Sequence, residues 1–335
     1  HRYYGKSFPF GKEASLQPHK NIHYLTVEQA MADYNTLQVH LRRKYNMSRS
    51  AAFVVTGGSY GANLALWLRM QHASVWAGAL ASSATPLKHL LRESNAFYKI
   101  VADAYGNIST ACPDKIRQGW KELFRQIQTS TGRQNIQEEL ALCEIPSHLN
   151  NYQQLALDIY GWISDALETM VQYGYPYPTH FYNPVPAFPF KVACHKMLDT
   201  STGLEALRAA AQVYYNYTGQ AGACFDWLST TRDNQSNQPR RYWNRLGQVD
   251  RIGDAFVTTF NNTGDGDSDD LTSIAWNYQC CTEVYQPMPT NGITDFEVPY
   301  TPNQTEYFEQ CRQTWGGVTP RTNWEELTFG GSNIA

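Results

Sequence analysis

The chain has 335 residues, of which 42% are hydrophobic and 17% are charged. This length and composition predict a folded protein of about two domains and exclude a disordered chain and a small disulfide-stapled scaffold. The 27 basic and 30 acidic residues give a formal net charge of −3, and without a block of Lys and Arg we expect no nucleic-acid partner. No apolar run approaches the about 20 residues of a membrane span, so we expect no membrane partner either.

The N-terminal quarter of the chain predicts alternating helices and strands. A Thr-x-x-Gln capping box at Thr26 begins a helix whose apolar residues recur at helical spacing as far as Tyr45. The apolar run 51–56 predicts a buried strand. Residues 60–72 then predict a helix and residues 75–81 a second strand, which together form a strand–helix–strand unit of the parallel-sheet type.

The composition changes near residue 85, beyond which helical patterns dominate. Pro113 suits the first turn of one helix, and further helical patterns run over 155–170 and 204–215. Residues 175–189 are too rich in proline for a helix or a strand, so we expect an irregular aromatic segment there.

The segment Gly57-Gly58-Ser59-Tyr60-Gly61 is a G-x-S-x-G motif between a predicted strand and a predicted helix. Small residues in this position allow a sharp turn that lifts the serine hydroxyl above the edge of the sheet. We therefore expect Ser59 to be a nucleophile and the backbone N–H of Tyr60 to face a developing oxyanion. In the alternative interpretation, Ser59 only caps the following helix.

A serine hydroxyl needs a general base, which in this arrangement follows the nucleophile and an acid along the chain. The histidines after Ser59 either lie too close to it or fall in helical or proline-rich sequence, and we interpret each as a surface or packing residue. They are His72, His89, His148, His180 and His195. The sequence therefore predicts that the base lies outside this chain, which agrees with interpreting both of its ends as cuts through a longer protein.

The acidic run from Asp265 to Asp270 resembles the start of an EF-hand loop. However, Trp276 stands at the twelfth position, where a bidentate Glu is required, so we expect no metal. The run is either a solvated loop or the source of a carboxylate that binds a substrate ammonium group, with Asp265 as the candidate.

Cysteines and glycosylation motifs indicate the compartment. Seven Cys without a C-x-x-C pair argue against a zinc ribbon or a thioredoxin-type redox site. Together with six Asn-x-Ser/Thr acceptor sequences, they favour the oxidising secretory pathway. The acceptor positions are Asn46, Asn107, Asn216, Asn234, Asn261 and Asn303.

Several segments resemble, in the same order, a family of lysosomal serine peptidases that comprises prolyl carboxypeptidase, dipeptidyl peptidase II and thymus-specific serine protease. These segments are His1–Ser7, Leu25–Ala30, Gly57–Gly61, Trp276–Glu283 and Pro320-Arg321. The resemblance covers essentially the whole chain. It implies the α/β fold class, with an α/β-hydrolase core that is interrupted by a large, mostly helical cap domain.

The resemblance also implies the domain limits. Residues 1–84 are expected to form the N-terminal part of the hydrolase core, residues 85–320 the cap, and residues 321–335 the return to the core. The catalytic Asp and His are expected beyond Ala335, and further core strands before His1. No cofactor is implied.

Asn63 and Gln286 occupy positions that border the proline pocket in members of this family, and their polar side chains argue against a strict preference for proline. The resemblance further implies three disulfides and a free Cys280. The expected pairs are Cys112 with Cys194, Cys143 with Cys224, and Cys281 with Cys311.

Within the family, Tyr175–Thr179 and Leu207–Ala209 look most like dipeptidyl peptidase II. We therefore predict a serine exopeptidase that releases N-terminal dipeptides, preferably Xaa-Pro or Xaa-Ala, through an acyl-enzyme. We place it in the lysosome, in another secretory-pathway vesicle or outside the cell. The alternatives are a Pro-Xaa carboxypeptidase and, in another class, a catalytically inactive hydrolase-fold binding protein. We expect peptide substrates, leave a homodimer open, and expect the 335-residue piece alone to be inactive.

Overall fold

The structure is a computed structural model that describes residues 1–17, 20–84, 96–146, 151–220, 222–228, 268–285, 287–322 and 324–330. Its elements in chain order are α1 (Lys12–Ser15), α2 (Val27–Lys44), β1 (Val54–Gly58), α3 (Tyr60–Gln71), β2 (Gly78–Ser82), α4 (Ala96–Gly106), α5 (Ala111–Gln126), α6 (Ser130–Glu139), α7 (Tyr152–Gln172), β3 (Thr179–His180), β4 (Pro184–Val185), α8 (Pro189–Leu198), α9 (Gly203–Tyr215), α10 (Ser268–Thr282), α11 (Gln304–Thr314) and α12 (Trp324–Phe329). The chain divides into two compact units, which are described separately. The first consists of His1–Glu93, Gln248–Pro287 and Asn303–Ala335, and the second of Ser94–Gly247 and Met288–Pro302.

The first unit contains a small parallel sheet in which β1 and β2 pair along their whole length. Helix α3 connects the two strands, so the predicted strand–helix–strand unit is present. Both strands begin about three residues later than the sequence predicts. β1 continues through Gly58 because this glycine stays paired with Ser82. β2 begins only at Gly78, because the Val75 backbone N–H donates to the His72 carbonyl oxygen at the end of α3 (2.9 Å) and closes a turn.

Helix α2 begins where the sequence predicts. The Thr26 side chain accepts a hydrogen bond from the Gln29 backbone N–H (3.2 Å). The Thr26 backbone N–H donates instead to the Tyr24 carbonyl oxygen (3.1 Å), so only one half of the predicted capping box forms. Buried Val27 of α2 shares an apolar cluster with Trp67 of α3, and this packing stabilises α2 beside the helix that follows Ser59.

A second apolar cluster of the first unit brings α10 and α11 to the N-terminal segment. Tyr278 and Cys281 of α10 pack with Tyr3, and Cys281 is joined to Cys311 of α11 by a disulfide. Residues 85–320 are predicted to form one helical cap domain. In the structure, α10 and α11 group with the sheet because they bury their apolar side chains in this cluster.

The second unit is built mainly from helices α4–α9 around an extensive apolar cluster. The helical patterns over 155–170 and 204–215 correspond to α7 and α9. The proline-rich segment is more regular than predicted, because Thr179–His180 pairs antiparallel with Pro184–Val185. Proline is tolerated here since it is the first residue of a very short strand.

Helices α5 and α9 approach each other at two glycines. A Cβ atom added to Gly203 would lie 2.3 Å from the Gly119 backbone nitrogen, and one added to Gly119 would lie 2.6 Å from the Gly203 carbonyl oxygen. The Glu122 carboxylate of α5 accepts the Leu204 backbone N–H at the start of α9 (3.0 Å). The two backbones are therefore in direct contact at this crossing.

Three disulfides are present, and they join the pairs that the family resemblance implies. Cys280 is the free cysteine and is buried. In the chain-entropy model, a bridge that closes a loop of about 80 residues stabilises the fold by about 4 to 5 kcal/mol. The pairs are Cys112–Cys194, Cys143–Cys224 and Cys281–Cys311.

Candidate active site

Ser59 occupies a strained turn between β1 and α3. Its φ of 54° and ψ of −126° lie outside the regions that a residue with a side chain ordinarily adopts. The turn is so tight that a Cβ atom on Gly57 would lie 2.0 Å from the Gly61 carbonyl oxygen, so only glycine fits there. The Ser59 backbone N–H donates to the Ser82 carbonyl oxygen of β2 (3.1 Å), which anchors the turn at the end of the sheet.

Ser59 is exposed, and its side chain makes no capping hydrogen bond to α3. The interpretation of Ser59 as a simple helix cap therefore lacks the bond that defines a cap. Tyr60 is the first residue of α3, where a backbone N–H has no acceptor within the helix. An exposed serine in this position can attack a carbonyl carbon when a base accepts its proton, and the neighbouring N–H can donate to the oxyanion that forms.

The Tyr60 side chain is held at both its ring and its hydroxyl. Trp276 of α10 lies against the ring, with the two centroids 5.3 Å apart. The hydroxyl oxygen accepts a hydrogen bond from Gln279 Nε2 (3.0 Å) and lies 3.1 Å from His1 Nε2. Gln279 is fully buried, and its Oε1 accepts the hydroxyl of Tyr4. Burial raises the pKa of Tyr60 well above its usual value, so its hydroxyl keeps its proton.

A charged cluster lies just beyond the end of α10. The Glu283 Oε2 atom accepts the Val27 backbone N–H at the start of α2 (2.9 Å), and Glu283 Oε1 accepts a hydrogen bond from Arg321. Arg321 also binds both carboxylate oxygens of Glu28 (2.6 and 3.0 Å). Burial raises the pKa of Glu283 to about 7, although the ion pair with Arg321 acts in the opposite direction.

We expect protonation of Glu283 to add stability to the complete protein as the pH falls from about 7 to about 4.5. In this window the folded state holds a proton on Glu283, while the unfolded chain, whose Glu pKa is 4.5, does not. At about 1.4 kcal/mol per pKa unit, the gain in the free energy of unfolding approaches about 3 kcal/mol.

Melting temperatures measured across this pH window test the expectation. Glu283→Gln should flatten the dependence. Glu309→Gln is the matched control and should leave the slope unchanged, because Glu309 is exposed and its pKa is lowered by hydrogen bonds from Arg312 and Gln313. Equal slopes for wild type and Glu283→Gln would contradict the role of Glu283.

Of the predicted substrate-binding residues, the structure brings one to Ser59. Asn63 is buried in the first turn of α3, and its backbone N–H lies 3.3 Å from the Ser59 carbonyl oxygen and donates to it. Asp265 and Gln286 lie outside the described residues, so their roles stay predictions. The acceptors Asn234 and Asn261 and the histidines His89 and His148 also lie outside them.

The described histidines after Ser59 are His72, His180 and His195. His72 follows the 12 residues of α3, about 20 Å along the helix from Ser59 at about 1.5 Å per residue. His180 and His195 belong to the second unit.

Over the residues described, no group of three His, Cys, Asp or Glu side chains could hold a metal ion, and no described helix is long and apolar enough to cross a bilayer.

The predicted glycan acceptors differ in accessibility. Asn46, Asn107 and Asn303 are exposed. Asn216 is buried, and its Nδ2, the atom that a glycan would modify, donates to the Gly222 carbonyl oxygen (3.3 Å). A glycan at Asn216 would replace one of the two Nδ2 hydrogens of a buried side chain, so Asn216 is the least accessible of the four described acceptors.

The segment Trp276–Glu283 carries the family resemblance, but no role is predicted for its side chains from the sequence. In the structure, Trp276, Gln279 and Glu283 follow the spacing i, i+3 and i+7, which places them on one side of the helical path. They contact Tyr60 and the start of α2. This spacing is the signal that the sequence offers, but it does not identify the partner.

A strained turn that presents a serine between a parallel strand and a helix, in a chain of mixed helices and strands, is typical of the α/β-hydrolase class. The chain matches the family model described as serine carboxypeptidase S28 over residues 1–328. It therefore belongs to this family of serine peptidases, and the family predicted from the sequence motifs is confirmed.

Curated relatives agree with this assignment. The chain is 32% identical over 341 residues to the lysosomal Pro-X carboxypeptidase of Homo sapiens, and 31% identical over 341 residues to that of Bos taurus. Both alignments cover 100% of this chain and 60% of the relative. The thymus-specific serine protease of Homo sapiens is 24% identical over 351 residues, with 96% of this chain and 60% of the relative covered. The chain thus spans 60% of the length of these relatives.

Proposed function

We propose that the complete protein is a serine exopeptidase of the lysosome or secretory pathway in which Ser59 forms the acyl-enzyme. The observation that carries the proposal is the strained turn at Ser59 in a member of the serine carboxypeptidase S28 family. The parallel strand–helix–strand unit and the helical second unit support an α/β-hydrolase core with a helical cap. The three disulfides and the names of the lysosomal relatives support the compartment.

In this mechanism the Ser59 hydroxyl attacks the scissile carbonyl carbon while a histidine accepts its proton. The Tyr60 backbone N–H donates a hydrogen bond to the oxyanion that forms. The histidine then protonates the leaving amine, and water releases the acyl group by the same steps in reverse. The proposal takes the histidine and its orienting Asp from the protein beyond residue 335.

For the substrate, we favour release of N-terminal dipeptides that end in Pro or Ala. The support is the resemblance of Tyr175–Thr179 and Leu207–Ala209 to dipeptidyl peptidase II. Such an enzyme needs a carboxylate to pair with the substrate ammonium group, and Asp265 is our candidate. The second candidate, a Pro-Xaa carboxypeptidase, is favoured by the names of the relatives at 31% and 32% identity and needs a cation for the substrate carboxylate.

Matched peptides distinguish these specificities in the complete protein. We expect hydrolysis of a free-amine Xaa-Pro or Xaa-Ala amide and little hydrolysis of the same compound after N-acetylation. Asp265→Ala should raise KM for the free-amine substrate far more than Asp270→Ala, the matched control. Cleavage of an N-acetylated peptide ending in Pro-Xaa at an undiminished rate would instead support the carboxypeptidase. Failure to cleave any of them, together with no labelling of Ser59 by a fluorophosphonate, would indicate a binding protein.

A further inference from the structure

We propose that Gln279 is a positioning residue, which holds the Tyr60 backbone N–H in place through the Tyr60 hydroxyl. The inference rests on the proposed function, because it takes this N–H as an oxyanion donor. Gln279 belongs to α10 and contacts Tyr60, which follows the nucleophile. The two residues are separated by 219 positions along the chain.

The hydrogen bonds around Gln279 form a chain with a single direction when the His1 ring is neutral. The His1 Nδ1 atom lies 2.7 Å from the Arg2 carbonyl oxygen, which only accepts, so Nδ1 carries the hydrogen and Nε2 is an acceptor. The Tyr60 hydroxyl can then donate to His1 Nε2 (3.1 Å). The Tyr60 hydroxyl oxygen accepts a hydrogen bond from Gln279 Nε2, and Gln279 Oε1 accepts one from the Tyr4 hydroxyl.

An amide is well suited to the centre of this chain. It supplies a donor towards Tyr60 and an acceptor towards Tyr4 from one rigid, planar group. A carboxylate at Gln279 could only accept, and an apolar side chain would leave two hydroxyls without this partner. Because Gln279 is fully buried, water cannot replace either bond.

The position of Tyr60 explains why its hydroxyl matters for the backbone. Ser59, the residue before Tyr60, has a positive φ. The direction of the Tyr60 N–H therefore depends on how the first turn of α3 is held. With Trp276 against the ring and Gln279 at its tip, the Tyr60 side chain is fixed along its length. This restricts rotation of the peptide group whose N–H faces the oxyanion.

Helix α10 is itself a firm support for Gln279. On one side, Cys281 is joined to Cys311 and packs with Tyr3. Beyond its end, Glu283 binds Arg321 and the first backbone N–H of α2. Both anchors lie within four residues of Gln279 along the chain, so a displacement of this part of α10 is resisted.

Two conservative variants test the proposal in the complete protein. Tyr60→Phe keeps the ring and the backbone, and Gln279→Met keeps the side-chain volume. Each should lower kcat by about ten- to hundredfold, less than the about hundred- to thousandfold loss when an oxyanion donor is removed. KM should change by less than about twofold, because the lost support acts on the transition state. The double variant should be no slower than the slower single variant, since both break the same link.

Thr282→Val on the same helix is the matched control, because the Thr282 hydroxyl donates only to the Tyr278 carbonyl oxygen one turn earlier (2.9 Å). It should retain wild-type kcat, and melting temperatures should confirm that all variants fold. Three results would each overturn the proposal. They are an unchanged kcat in Tyr60→Phe and Gln279→Met, a change confined to KM, and losses in kcat that multiply in the double variant. Fluorophosphonate labelling of Ser59 in the wild type separates this failure from failure of the proposed function, which predicts labelling whatever the role of Gln279.

Discussion

Ser59→Ala in the complete protein should lower kcat by about a millionfold, the loss that follows removal of the nucleophile from a Ser–His–Asp site. The reason is that the strained turn holds this hydroxyl exposed beside the first N–H of α3, and alanine removes the oxygen that would form the acyl bond. Turnover measurements check the loss, and mass spectrometry of fluorophosphonate-treated protein should find the adduct on Ser59. The matched control is Ser50→Ala, in the exposed loop before β1, which should keep both turnover and labelling.

The same probe tests where the base lies. The 335-residue chain by itself should label poorly, and restoring the rest of the protein should restore labelling. Efficient labelling of the short chain that disappears on His180→Ala or His195→Ala would contradict this expectation and place the base in the second unit.

Gly203→Ala should be among the most destabilising single changes in the second unit. The added Cβ would lie 2.3 Å from the Gly119 backbone nitrogen, and a backbone atom, unlike the end of a side chain, cannot move aside without shifting its helix. Overpacking costs about 1 to 3 kcal/mol where side chains can adjust, so we expect about 3 kcal/mol or more here. Denaturant unfolding followed by circular dichroism measures the loss.

Gly161→Ala provides the matched control for this change. Gly161 also lies within a helix, α7, but a Cβ atom there would meet nothing within 4 Å. Replacing this glycine should leave stability unchanged or raise it by up to about 1 kcal/mol, because alanine loses less backbone entropy on folding. Equal unfolding midpoints for the two variants would show that the contact between α5 and α9 is looser than described.

The local features of the fold could be predicted from the sequence because their causes are local. The Thr26 cap and the helical patterns of α7 and α9 depend on residues a few positions apart. The turn at Ser59 is equally local, since Gly57 and Gly61 fill the space that it requires. The strand limits were less predictable, because β1 ends where its partner stops pairing and not where its apolar run stops.

The supports of the site could not be predicted in the same way. Nothing around Gln279 indicates that its amide meets Tyr60, and nothing around Glu283 indicates that it accepts the first N–H of α2. A polar residue on an apolar helix face predicts a buried partner, but any donor or acceptor elsewhere in the chain could be that partner. For the same reason, the change in composition near residue 85 did not reveal that α10 groups with the sheet.

The separation along the chain of the residues around Ser59 has a consequence during synthesis. Between Tyr60 and Gln279 lie residues that a ribosome, at about 5 to 20 residues per second, needs about 10 to 45 seconds to add. All four cysteines of the Cys112–Cys194 and Cys143–Cys224 bridges emerge within that interval. Residues 94–247 of the second unit can therefore oxidise and begin to fold while the turn at Ser59 still lacks its contact with Gln279, so a newly made chain completes this turn only after much of the molecule has begun to fold.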